Sequence, residues 1–130
     1  MLFRSNLSGV KIELFDISDF ANPYSLDSIV LASDTSSELE YNHKALAYRA
    51  SDDLFAFPYQ SYGSYLNNYQ INSYLGIYQV VGSQLQSYQA VAGMDEGWGS
   101  HRGLIFDRNG TTFVSFFGDG FITTNTLGGK

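Results

Sequence analysis

The sequence predicts an all-β domain built from stacked antiparallel sheets, and two observations carry that reading. The first is a block that occurs twice: NHKALAYRASDDLFAFPY at 42–59 returns without a gap as SHRGLIFDRNGTTFVSFF at 100–117, an offset of 58 residues. His43 falls on His101, Lys44 on Arg102, Leu46 on Leu104, Tyr48 on Phe106 and Phe55 on Phe113. A period of several tens of residues means one supersecondary unit stacked on copies of itself. The second is composition: ten Phe, ten Tyr, one Trp and thirteen Gly against only two Pro. Aromatic side chains suit a pleated, half-buried surface, and long stretches of helix formers are missing.

The strands follow in order. Residues 10–16 (VKIELFD) alternate Val10, Ile12 and Leu14 with Lys11 and Glu13, the period-two pattern of a strand. Asp19, Asn22 and Pro23 then supply turn chemistry. Further strands are expected at 26–32, 43–48, 54–59 and 74–80. The series continues at 85–91, 102–106, 112–117 and 121–124. The connections ASDD at 50–53 and DRNG at 107–110 are short and rich in turn formers, as hairpins require. The strands joined by ASDD carry apolar residues on both faces, so their sheet must be covered on both.

Four-stranded antiparallel units repeated along a chain are the blades of a β-propeller. The expected fold is therefore all-β, a fragment of a β-propeller spanning 1–130. It comprises the last strand of a preceding blade at 10–16, a blade at 24–81 and a second blade at 84–126. A ring needs about 4 to 8 blades, so the chain reads as a piece of a longer protein or as a unit that closes a ring by self-association. The first five residues, MLFRS, resemble the translation of a sequencing adapter, and no strand is assigned to them.

The formal net charge is −6, with seven basic residues. That balance excludes a nucleic-acid partner, which demands a basic face. No cysteine is present, so disulfides and thiolate metal sites are excluded. No apolar run approaches the roughly 20 residues of a membrane-spanning helix.

Function is expected in the unequal loops. Residues 32–42, 61–73 and 92–100 are long and share one face of the meander, whereas short turns occupy the other. Loops of this length are functional more often than short turns are. The candidate ligand-binding residues are Tyr62, Tyr65, Tyr69 and Trp98, with Asp95 and Glu96. Tyr and Trp offer rigid contact area with a polar handle, which suits a protein or polysaccharide partner; the alternative is that they cover sheet edges. The carboxylates of Asp34, Glu38, Glu40, Asp95 and Glu96 could instead serve calcium, which takes about 6 to 8 oxygen ligands, but no D-x-[DN]-x-[DN]-G loop is present, and no cofactor or metal site is assigned. The repeat equivalence of His43 and His101 points to architecture, with Lys44 and Arg102 solvated or bridging loops.

No catalytic residues are assigned. G-x-S-x-G, G-x-G-x-x-G and H-E-x-x-H are all lacking. GWG at 97–99 resembles the tryptophan motifs of quinoprotein dehydrogenases over three residues only. The alternative function is a propeller segment of an exported hydrolase or quinoprotein-like enzyme whose active site is completed elsewhere.

VKIELFDISDFANP, followed by SSELEYNHKALAY and LFAFPY, resembles the secreted or surface-exposed bacterial and archaeal proteins with a C-terminal β-propeller domain. In that family a strand ending LFDVSD-x-x-NP precedes a loop of the form S-E-x-x-Y-DHKAF and a strand like LLAFPV. The likeness covers 9–80, including LGIYQV at 75–80, and weakens afterwards. Asn42 stands where the family has Asp. The resemblance implies an extracellular or cell-surface, non-catalytic propeller and transfers no catalytic residue.

Overall fold

The computed structural model describes residues 2–6, 9–31, 35–40, 42–62, 71–93, 100–118 and 120–127. Among the described residues, twelve strands form three antiparallel sheets. The first sheet has the order β1 (Leu2–Asn6), β2 (Gly9–Asp16), β3 (Tyr24–Val30). The central sheet has four strand positions. One edge is split into β4 (Thr35–Ser36) and β5 (Ala47–Arg49), which both pair with β6 (Leu54–Ser61). β6 pairs with β7 (Asn72–Val81), whose far side carries β8 (Gln84–Ser87) and β9 (Val91–Ala92). The third sheet runs β10 (Arg102–Arg108), β11 (Thr111–Phe117), β12 (Ile122–Thr126).

The all-β reading and both hairpins between repeated strands hold, but the strands are shared out differently among sheets. The segment expected to open the blade at 24–81 is β3, and it pairs with β2 in the first sheet. The segment expected to open the blade at 84–126 is β8, and it pairs with β7 in the central sheet. Local turns decide this. Gly82 and Ser83 alone connect Val81 to Gln84, and Gly82 has φ 62°, the Gly-first pattern of a tight hairpin turn. A strand delivered by such a turn must lie beside the one it left. Before β3, Asp19 accepts from the Ala21 amide (3.0 Å) and from Asn22 Nδ2 (3.2 Å), while Tyr24 donates to Asp16 (3.1 Å), closing the return. Leu2–Asn6, assigned no strand from sequence, pair with β2 from Leu2↔Glu13 to Asn6↔Gly9.

The core consists of two layers, one on each face of the central sheet. Phe55 and Phe57 of β6 and Tyr78 of β7 meet Val10, Ile12 and Leu14 of β2. Leu54, Ala56, Leu75 and Ile77 meet Val114 and Phe116 of β11. Successive residues of a strand point to opposite faces, so β6 feeds both layers, and five consecutive residues from Leu54 are buried. Phe57 and Tyr78 stack at 5.6 Å and 14°, Phe55 and Tyr78 at 5.7 Å. Burial pushes the Tyr78 hydroxyl above its ordinary pKa.

The repeated blocks do not stack front to back. Ala47 pairs with Ala56, and their repeat counterparts Ile105 and Val114 also pair; all four lie in the layer between the central and third sheets. Tyr48 and Phe55 are on the opposite side of the central sheet, whereas their counterparts Phe106 and Phe113 stack on each other at 5.5 Å on the outward side of the third sheet. The central and third sheets thus meet through the positions the repeat equates. Their approach is close at Gly103, where a Cβ would come within 2.6 Å of Leu75 Cδ1.

Phe57 is fully buried. Phe57→Ala should destabilise the chain by about 3–5 kcal/mol, read from urea midpoints at constant m-value.

Candidate functional site

Strand register brings the short connection entering β4 and the long β6–β7 and β9–β10 connections to one end of the central sheet, whereas the expected long loop at 32–42 is interrupted by β4 and two 3₁₀ turns. Thr35 pairs with Ser61, and Ser61 with Asn72. Two residues further along β7, Tyr74 pairs with Ala92, and the Gly93 amide donates to the Ser73 carbonyl at 2.8 Å. The connection entering β4, the β6–β7 connection and the one leaving β9 therefore all depart from the same end of the sheet.

The described rim of this end is built on the segment between β4 and β5. It folds as two 3₁₀ turns, Glu38–Glu40 and His43–Ala45. Asn42 caps the second, its side chain accepting from the Lys44 amide at 3.1 Å. Ser37 donates to the Pro58 carbonyl at 2.5 Å, and its amide donates to Glu40 at 3.0 Å. Glu38 accepts both Arg102 terminal nitrogens, at 2.8 and 2.9 Å, and Asn42 Nδ2 at 2.7 Å. Its carboxyl is held below the usual range, first by the Arg102 hydrogen bonds and further by Asn42 and Ser100. A bidentate, charge-assisted pair of this kind fixes orientation as well as supplying energy. It ties the 3₁₀ segment of the central sheet to the start of β10.

Of the candidate ligand residues, Tyr62 is placed: it is 43% exposed, and its hydroxyl lies 2.6 Å from Ser36 Oγ. Tyr65, Tyr69, Asp95, Glu96 and Trp98 lie outside the described residues, as does Asp34. Glu38 and Glu40 are engaged within the rim. Among the described residues no group of three or more His, Asp or Glu gathers closely enough to hold a metal ion.

The two histidines share a repeat position but not an environment. His43 is exposed in the second 3₁₀ turn. His101 is 2% exposed, with ring centroids 5.7 Å from Phe116 and 5.8 Å from Phe121. A Cβ on Gly118 would lie 2.8 Å from the His101 ring, so a glycine is needed for that packing. Arg102 bridges loops as expected; Lys44 is exposed.

A second clamp, at the opposite end of β6, is absent from the sequence reading. Arg49 holds Asp52 through Nε (3.0 Å) and NH2 (2.7 Å), while NH1 reaches Asp107 (2.5 Å) and Thr112 (3.2 Å) in the third sheet. These carboxylates, Asp52 foremost, hold the guanidinium above its ordinary pKa. The signal was available: positions 49 and 107 are repeat counterparts carrying opposite charges.

Arg102→Met should cost about 1–3 kcal/mol at neutral pH, because it strands a part-buried carboxylate. Glu38 has a depressed folded pKa, so its contribution is present above its ordinary value of 4.5 and is lost as the pH falls through the folded value. The stability gap between wild type and variant should accordingly narrow below pH 4.5, as followed by urea denaturation across a pH series.

Among the described residues, no helix is long and apolar enough to cross a membrane. No curated protein and no solved structure matches the chain. A family model described as "Beta propeller domain" matches residues 3–104, a stretch that takes in the first sheet, the central sheet and the start of β10. With its stacked antiparallel sheets and most of its length matched, the chain belongs to the beta propeller domain family.

Proposed function

We propose that this chain is a non-catalytic propeller module, displayed outside the cell or on its surface, that binds a protein or polysaccharide partner through the loop-bearing end of its central sheet. The observation that carries this is the shared departure of the two long connections, β6–β7 and β9–β10, from one end of the central sheet. Their sequences hold Tyr62, Tyr65, Tyr69 and Trp98 beside Asp95 and Glu96. Aromatic residues supply contact area at low entropic cost, and the Glu38–Arg102 clamp holds the described part of the rim in place before a partner arrives. The extracellular setting rests on the resemblance of 9–80 to exported propellers.

The module's structural partners are further blades or second copies. The outward side of the third sheet supports this, because it carries Leu104 at 52% exposure and Ile122 at 70%, beside Phe106, Phe113 and Phe117. Contiguous apolar surface of this kind favours association.

Replacing Tyr65, Tyr69 and Trp98 together with alanine should weaken binding to a polysaccharide or protein found by glycan array or surface-extract pull-down by at least about tenfold, with the melting temperature unchanged. Full binding by a folded triple variant would overturn the loop assignment. Separately, Leu104→Lys should shift the chain towards monomer in sedimentation velocity.

A further inference from the structure

Two sequences of the form N-x-[ST] occur in the chain, NLS at 6–8 and NGT at 109–111. Such a sequence accepts an asparagine-linked glycan where it stands in a surface loop of an exported protein. The first begins at Asn6, which pairs with Gly9, and its other two residues lie outside the described residues. The second is described throughout, at the tip of the β10–β11 hairpin.

That tip is a two-residue turn. Arg108 pairs with Thr111, and Asn109 and Gly110 between them have φ 51° and 78°. Two positive values on an Asn-Gly pair are the signature of a type I′ hairpin turn, and Asn109 is exposed. The neighbouring polar side chains are engaged: Asp107 accepts from Arg49 and from Thr112 Oγ1 at 2.7 Å. The side-chain amide of Asn109 and the hydroxyl of Thr111 are the two groups that acceptor chemistry uses. Neither has a hydrogen-bond partner among the described residues.

The position tolerates a bulky substituent. A group attached to a sheet face would have to enter a layer between stacked sheets, whereas the tip of a tight hairpin projects past the ends of its strands. This tip adjoins the Arg49 clamp, at the end of the fold opposite the long connections, so a glycan there leaves the candidate binding face open. The equivalent turn of the central sheet, ASDD at 50–53, contains no asparagine. One hairpin of the repeated pair is therefore equipped for the modification and the other is not.

We propose that Asn109 is an asparagine-linked glycosylation site, modified during export by an oligosaccharyl transferase that uses a lipid-linked oligosaccharide phosphate. The anomeric carbon of the saccharide bonds to Asn109 Nδ2 as its bond to the donor phosphate breaks. The phosphate leaves with the bonding electrons, and the proton lost from the amide nitrogen passes to it. Thr111 at the second following position supplies the hydroxyl by which the acceptor is recognised. The glycan adds a solvated, bulky cover to an exposed turn. This inference rests on the extracellular reading given above.

The test recovers the full chain from the medium, surface and cytosol of cells that produce it and reads each fraction by intact mass and by peptide mapping. Chain from the medium or surface should carry one glycan on Asn109. Thr111→Val should abolish the glycan, and Thr111→Ser, which restores the hydroxyl, should keep it. Both substitutions leave the Asn-Gly turn in place, and a melting temperature like that of the wild type shows that the hairpin is intact. Asn109→Gln should remove the glycan as well. Exported chain with Asn109 bare or merely deamidated, a glycan on Asn6 alone, or one on Asn109 that survives Thr111→Val would overturn the site while leaving the extracellular reading in place. Chain confined to the cytosol would overturn both.

Discussion

The structure depends on a central sheet that is apolar on both faces. Phe55 and Phe57 leave β6 on one side, Leu54 and Ala56 on the other, and all four are essentially inaccessible to solvent. A strand of this kind cannot lie at a surface, since each face left in water would forfeit roughly 25 cal/mol per Å² of apolar area. The first sheet supplies Val10, Ile12 and Leu14 as one cover, and the third supplies Val114 and Phe116 as the other. That requirement places the first and third sheets on either side of the central one.

Apolar layers are non-directional, so they require covers without fixing how the covers are seated. Polar contacts between sheets do that. The Val10 amide donates to Thr35 Oγ1 at 3.1 Å, and Asp27 takes the Leu85 amide, setting the first sheet against the central one. Arg49 with Asp107, and Glu38 with Arg102, set the third. These two clamps lie towards opposite ends of β10, at Asp107 and Arg102, so together they restrain both sliding and rotation. The same Glu38 clamp orders the rim from which the long connections leave, joining the demands of packing to those of the candidate site.

The seating of the third sheet also explains where unsatisfied surface remains. Because the central and third sheets share a layer through repeat-equivalent positions, Phe106 and Phe113 are turned outward rather than into the core. An isolated sheet pair could not leave such residues uncovered without a tendency to associate. Membership of the beta propeller domain family gives that surface a context, since propellers are made of sheets covered by sheets.

The sequence by itself determined the all-β class, the hairpins at 50–53 and 107–110 and the two-sided burial of β6. Each follows from local pattern: aromatic and β-branched runs, turn residues at short spacings, and apolar residues at successive positions. It also identified the long connections at 61–73 and 92–100, but not the strand and 3₁₀ turns that break the stretch 32–42. Local turns decided that β3 and β8 close the sheets behind them, and tertiary structure alone decided that Ala47 and Ile105 share a layer. It also decided that His43 is exposed while His101 is packed against Phe116 and Phe121. The physical reason is that alternation reports that a strand has two faces but not what lies against either. A repeat equates positions along the chain, whereas side-chain environment is set by neighbours that only the packed sheets bring together.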